Sequence, residues 1–99
     1  MELQELTHQD FSKFLNQSFN IKFGENAILP AELIEAKELN GYSPLQRKPF
    51  LIVFRTQQQN EYYQQATFIV EHPEKGAIPI FLSPKGLDSV GMKYEAVFS

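Results

Sequence analysis

The residues of this 99-residue chain whose types and spacing suit chemistry gather at Glu71-His72-Pro73-Glu74. An imidazole beside carboxylates is the pairing that acid–base catalysis uses, because histidine exchanges its proton near neutral pH and a carboxylate can orient the ring. His72 is therefore the acid–base candidate, with Glu71 and Glu74 as its partners. Strand geometry favours another reading. Neighbouring strand residues point to opposite faces, and a histidine just before a turn proline is well placed to bond the turn backbone.

Other reaction chemistries find less support. His8 sits in a first helical turn, expected to face solvent, and two histidines so far apart give no metal-ligand spacing. No serine stands in a glycine-flanked nucleophile elbow, and no glycine-rich loop of phosphate-cradling type is present. No catalytic residue, metal or cofactor is assigned, and the reading leans away from an enzyme. Binding is the better expectation. Residues 56–65 are polar and glutamine-rich and read first as a solvated hairpin loop, yet Tyr62 and Tyr63 at its tip and Arg55 across the hairpin base are residue types that dominate interface hot spots. Adjacent tyrosines on a continuing strand point oppositely, so one of the pair is equally able to fold back onto the core.

These residues depend on a β framework. At its centre stands the hairpin of residues 65–84, turned by His72-Pro73-Glu74-Lys75-Gly76: proline presets the φ of a turn position and glycine supplies a positive φ. Ile69 and Phe81 fall on its second face, where exposure is costly, which predicts a helix, a second layer or a partner over them. Pro79 cannot donate a ladder bond and marks an open edge or a bulge. That edge is a second candidate surface, for β-addition of a partner or for a homodimer.

Around the hairpin, residues 6–16 read as a short amphipathic helix. Thr7 and Asp10 are placed to cap it, Leu6 to staple onto Phe11, and Phe11, Phe14 and Leu15 form its apolar face. Residues 18–23 alternate as a half-buried strand, and residues 50–55 form a continuous apolar run suited to a strand buried on both faces. Residues 27–40 are ambiguous, because Pro30, the run Ala-Glu-Leu-Ile-Glu-Ala-Lys-Glu-Leu and Gly41 spell helix while Ile34 and Ala36 alternate weakly. Residues 41–49 read as loop by composition, and residues 83–91 likewise. A final strand is expected at residues 92–98. The fold class is mainly β with some α: about six antiparallel strands as a small barrel or strongly bent sheet, with one short N-terminal helix, in a single domain over residues 1–99.

Composition narrows the setting. With no cysteine, disulfides, zinc-thiolate sites and thiolate nucleophiles are excluded. The acidic start lacks the pattern of a signal peptide and no run spans a bilayer, so the cytoplasm is expected, without a membrane partner. A net charge of −3 argues against a general nucleic-acid binder, although residues 41–99 carry six basic residues against five acidic ones. Single-stranded nucleic acid would call for exposed rings beside Arg47, Lys48 and Arg55.

Phe68-Ile69-Val70-Glu71-His72-Pro73, Gly76, Phe81-Leu82-Ser83-Pro84 and Tyr94-Glu95-Ala96-Val97-Phe98 resemble a family of short bacterial domains of unknown function. The likeness extends through Pro49–Arg55, Leu33-Ile34-Glu35-Ala36 and Asp10-Phe11, nearly the whole chain from Leu6. It implies a compact β-rich domain with residues 33–39 as strand, and short stand-alone proteins, some encoded beside phage-tail-collar-like proteins. The function expected is a non-enzymatic protein-interaction or assembly module, linked by that resemblance to phage-tail-like proteins. The alternatives are a small hydrolase or isomerase using His72, or a weak binder of single-stranded nucleic acid.

Overall fold

The computed structural model describes residues 3–41 and 47–99. A 3-10 turn, Leu3–Glu5, leads into α1 (His8–Ser12), followed by β1 (Ser18–Gly24), β2 (Ala27–Glu38), β3 (Phe50–Arg55), β4 (Ala66–His72), β5 (Gly76–Leu87) and β6 (Met92–Phe98). The strands are antiparallel and close into a barrel in the order β1-β2-β3-β6-β5-β4. The predicted mainly-β fold with one short helix is thus the fold of the chain. The loop predicted over residues 41–49 falls partly on residues 42–46, outside the described residues.

Two strands organise the barrel. β2 and β5 have 12 residues each, against six or seven in the others, and each is shared between two neighbours. β2 pairs with β1 from Ala27 to Glu32 and with β3 from Glu32 to Glu38. β5 pairs with β4 from Gly76 to Leu82 and with β6 from Ser83 to Leu87. Irregularities sit near both changes of partner, between Leu33 and Glu35 and between Pro84 and Gly86. Bulges bend a strand and raise its twist, which is what a corner between two sheets requires. Gly86, at φ 122°, adopts there a backbone that side chains resist.

The prolines account for where the partners change. Leu33 donates its N–H to Gln17 O at 3.0 Å and accepts from Asn16 N–H at 2.7 Å, so its backbone groups point toward β1. Alternation along the strand then turns the groups of Leu29 and Ala31 toward β1, and those of Ile28, Pro30 and Glu32 toward β3. At Pro30 no N–H exists to give β3 its next ladder bond. The β2–β3 ladder ends at Glu32↔Arg55, and Thr56 N–H donates instead to Met92 O at 2.9 Å. Pro79 stands opposite Ile69 on β4, and among the described residues its half of β5 has no partner in β6. This meets the expectation of an edge at Pro79 and adds a second edge, at Pro30, that sequence reading passed over.

Inside, strand alternation delivers Phe19, Ile21, Leu33, Phe50, Ile52, Phe54, Val70, Ile78, Ile80, Leu82 and Tyr94 to one core. Val53 is buried on the outer side of β3 as well, so that strand is covered on both faces over its middle. One ambiguity resolves as the resemblance implies, and two expectations change. Residues 27–38 are strand despite their helical composition: Ala31 and Leu33 reach the core, and pairing on both sides outweighs propensity differences of a few tenths of a kcal/mol per residue. Residues 83–87, expected as loop, extend β5. The second face of the central hairpin lies outside the barrel with Phe81 53% exposed, and the helix does not cover it.

Instead α1 plugs one mouth. Phe11 is fully buried against the rings of Phe19, Phe50 and Phe98, with Leu6 beside it, whereas Leu15 faces outward at 41% exposure. Five residues cannot hold a helix alone, so this packing and the Asp10 carboxylate, which accepts from Thr7 N–H at 2.8 Å, maintain it. Arg47 ties the ends of the chain together, donating to Leu3 O and Leu6 O and, at 3.2 Å, to Ser99 O.

Gly91 marks the tightest backbone approach. A Cβ there would stand 1.9 Å from Thr56 O, a main-chain atom with no freedom to withdraw. Gly91→Ala is expected to cost roughly 1–3 kcal/mol, as overpacking does. That is a fall of about 5–20 °C in Tm for a domain of this size. Calorimetry finding Tm unchanged would contradict the close approach.

Candidate functional site

His72 is 3% exposed at the mouth plugged by α1. Its Nδ1 accepts from the backbone N–H groups of Glu74 and Lys75 at 3.0 and 3.1 Å. Both partners are obligate donors, so the ring proton lies on Nε2, which donates to Asp10 O at 2.6 Å. Phe11, Phe14 and Phe19 surround the ring edge-to-face at 5.1–5.7 Å. Neither nitrogen is left for a substrate. The candidate partners point elsewhere: Glu71 is on the exposed outer face of β4, and Glu74 pairs with Lys13 at 2.7 Å, which holds its carboxyl below the usual range. The histidine thus orders its turn and clasps the helix to it, helped by Lys75 and Asp10 at 3.7 Å. His8 is half-buried rather than exposed, with Nε2 donating to Ala36 O at 2.9 Å.

At the other mouth, residues 56–65 form a lid. β3 and β4 are not neighbours in the barrel, so this segment crosses the mouth instead of closing a hairpin. Tyr63 stacks on Phe23 at 4.7 Å, and its N–H donates to Tyr94 Oη at 3.0 Å. The Tyr94 hydroxyl donates to Gln58 Oε1 at 2.6 Å, and Gln58 N–H donates to Thr56 Oγ1 at 3.2 Å. Burial raises the Tyr94 pKa, so the phenol keeps the proton this chain of bonds needs. Gln58 and Thr56 are buried in a stretch whose composition suggested a solvated loop. Thr56 bonds Met92 O and Gln58 bonds the Tyr94 hydroxyl, each 36 residues away and beyond any local signal.

The tyrosine pair divides: Tyr63 is packed inward, while Tyr62 is 57% exposed beside Pro84, Lys85 and Gly86. Between the lid and the free stretch of β2 runs a cleft of about 240 Å³ lined by Leu29, Pro30, Gln57, Gln58 and Glu61. A second hollow of about 230 Å³ continues from Pro30 and Gln57 toward Glu32 and Arg55. Among the described residues no three histidine or acidic side chains are grouped to hold a metal ion, and no helix is long and apolar enough to cross a membrane.

Arg55 does not join the tyrosines. Its guanidinium donates to Asp88 at 2.9 Å and Glu32 at 3.1 Å, bracing β3 against β2 and the β5–β6 turn. Arg47 is likewise engaged, with its guanidinium over Phe50 and Phe98. Asp88 Oδ1 also accepts from Val90 and Gly91 N–H at 2.8 and 3.0 Å. These bonds, with Arg55, hold the Asp88 carboxyl well below the usual aspartate range. The unfolded chain therefore takes up this proton first as pH falls, and the stabilisation, full at neutral pH, declines below about pH 5. Asp88→Asn should lower urea-unfolding stability at pH 7, with the gap from the parent chain narrowing toward pH 2. A gap independent of pH would contradict the role of the charge.

Searches among curated proteins and among solved structures give no significant match. A family model does match, Domain of unknown function (DUF6916), over residues 6–98. That span contains the helical plug, all six strands and the lid, and the chain therefore belongs to the DUF6916 family.

Proposed function

We propose that this chain is a non-enzymatic protein-interaction or assembly module whose contact surface is the lid at residues 56–65. The observation that carries this is the division of labour within the lid. Thr56, Gln58 and Tyr63 are anchored from below, while Tyr62 stands exposed on the segment they hold. A ring presented on an ordered loop loses little conformational entropy on binding, which favours affinity. Pro84, Gly86 and Met92 line a shallow hollow with the ring. The enclosed His72 ring, with both nitrogens bonded to backbone, supports a scaffold role at the opposite mouth. The cysteine-free composition suits a reducing cytoplasm, and phage-tail-like proteins are the partner class that the sequence resemblance suggests.

Tyr62→Ala tests the reading, because the Tyr62 side chain is exposed and makes no hydrogen bond among the described residues. Recovery of the partner that co-purifies with the chain from its native host is expected to fall about tenfold or more, the loss of a hot-spot aromatic, with Tm unchanged. Unchanged recovery would remove the lid as the contact.

A further inference from the structure

The free stretch of β2 at residues 27–31 is an open strand edge with a cleft beside it. The ladder to β3 stops at Glu32↔Arg55, and the chain turns away at Thr56. Strand alternation points Ile28 N–H, Ile28 C=O and Pro30 C=O into the space vacated, because Leu29 and Ala31 bond β1. One donor and two acceptors therefore face a cleft of about 240 Å³. Pro30 limits the edge without closing it, since the proline withholds a donor but keeps its carbonyl.

The cleft has a sign. Glu61 lines it and, among the described residues, makes no ion pair, whereas Arg55 nearby is already held by Glu32 and Asp88. Leu29 and Pro30 supply an apolar wall leading to that carboxylate. A strand added along residues 28–30 would point the side chain opposite Leu29 to the same side as Leu29, into the cleft. A long side chain with an apolar stem and a cationic head matches both wall and carboxylate.

We propose that an extended peptide segment of a partner protein adds to β2 alongside residues 28–30, and that one lysine or arginine of it enters the cleft to pair with Glu61. This rests on the interaction-module reading and names the chemistry of the partner. Main-chain bonds at Ile28 and Pro30 fix the register, and Glu61 selects the cation.

The test is selection from a displayed library of random decapeptides on the full chain, followed by NMR titration of the isotope-labelled chain with a synthetic copy of the strongest binder. Enrichment of peptides with lysine or arginine at one position, and shifts confined to Ile28, Leu29, Gln58 and Glu61, are expected. Glu61→Gln should weaken that binder roughly fivefold, and N-methylation of the peptide amide that meets Ile28 C=O by about as much again. Because Glu61 is exposed, its replacement leaves the fold intact. Failure to enrich any peptide, enrichment without a basic residue, or shifts centred elsewhere would overturn the proposal. If a native partner still depends on Tyr62 in that event, the slot alone falls; if neither peptide nor partner binds, the module reading falls with it.

Discussion

A strand can hand its ladder onward only through residues that own both a donor and an acceptor, and Pro30 and Pro79 own only the acceptor. Pro30 stands where β2 would continue pairing with β3, and Pro79 stands on the half of β5 that pairs with β4 alone among the described residues. The long strands thus change neighbours partway along, at bulges, and the barrel becomes two sheets joined through shared strands. Strand order sends residues 56–65 across one mouth, because β3 and β4 are not neighbours, and the gap beside β2 leaves an open edge next to that lid.

The two mouths are sealed by different chemistry. At one, a buried phenylalanine on a helix too short to stand alone is held by a histidine whose ring bonds three backbone groups at once. Removing the imidazole would free the turn N–H groups of Glu74 and Lys75 and leave Asp10 O without its partner, loosening the helix from the turn. At the other mouth, a tyrosine hydroxyl and a glutamine amide secure a polar segment over the core. The first seal buries its histidine. The second leaves Tyr62 and the cleft facing solvent, which is why binding is proposed at that end.

Much of this was legible where one residue dictates local geometry. His72-Pro73-Glu74-Lys75-Gly76 announced its turn through a fixed φ and a positive one, and the alternation of residues 18–23, 66–72 and 92–98 gave their faces. Residues 27–38 were obscured because helix formers occupy a strand whose pairing partners lie on both sides. Pro30 reads locally as a helix start, and its value as a ladder terminator appears only once β3 is placed beside it. The lid reads as solvated loop in the sequence because nothing local signals that Gln58 meets a tyrosine 36 residues later. Gly91 gave no local sign either, since its constraint is a carbonyl from another strand.

Amide hydrogen exchange along β2 tests the central claim most directly, since it reads which backbone groups the proline left without a ladder. Leu29 and Ala31, bonded to β1, should exchange slowly, while Ile28 between the turn and Pro30 should exchange at close to its unstructured rate. Protection of the Ile28 amide equal to that of Leu29 and Ala31 would mean the ladder continues past Pro30, and the open edge with everything built on it would be wrong.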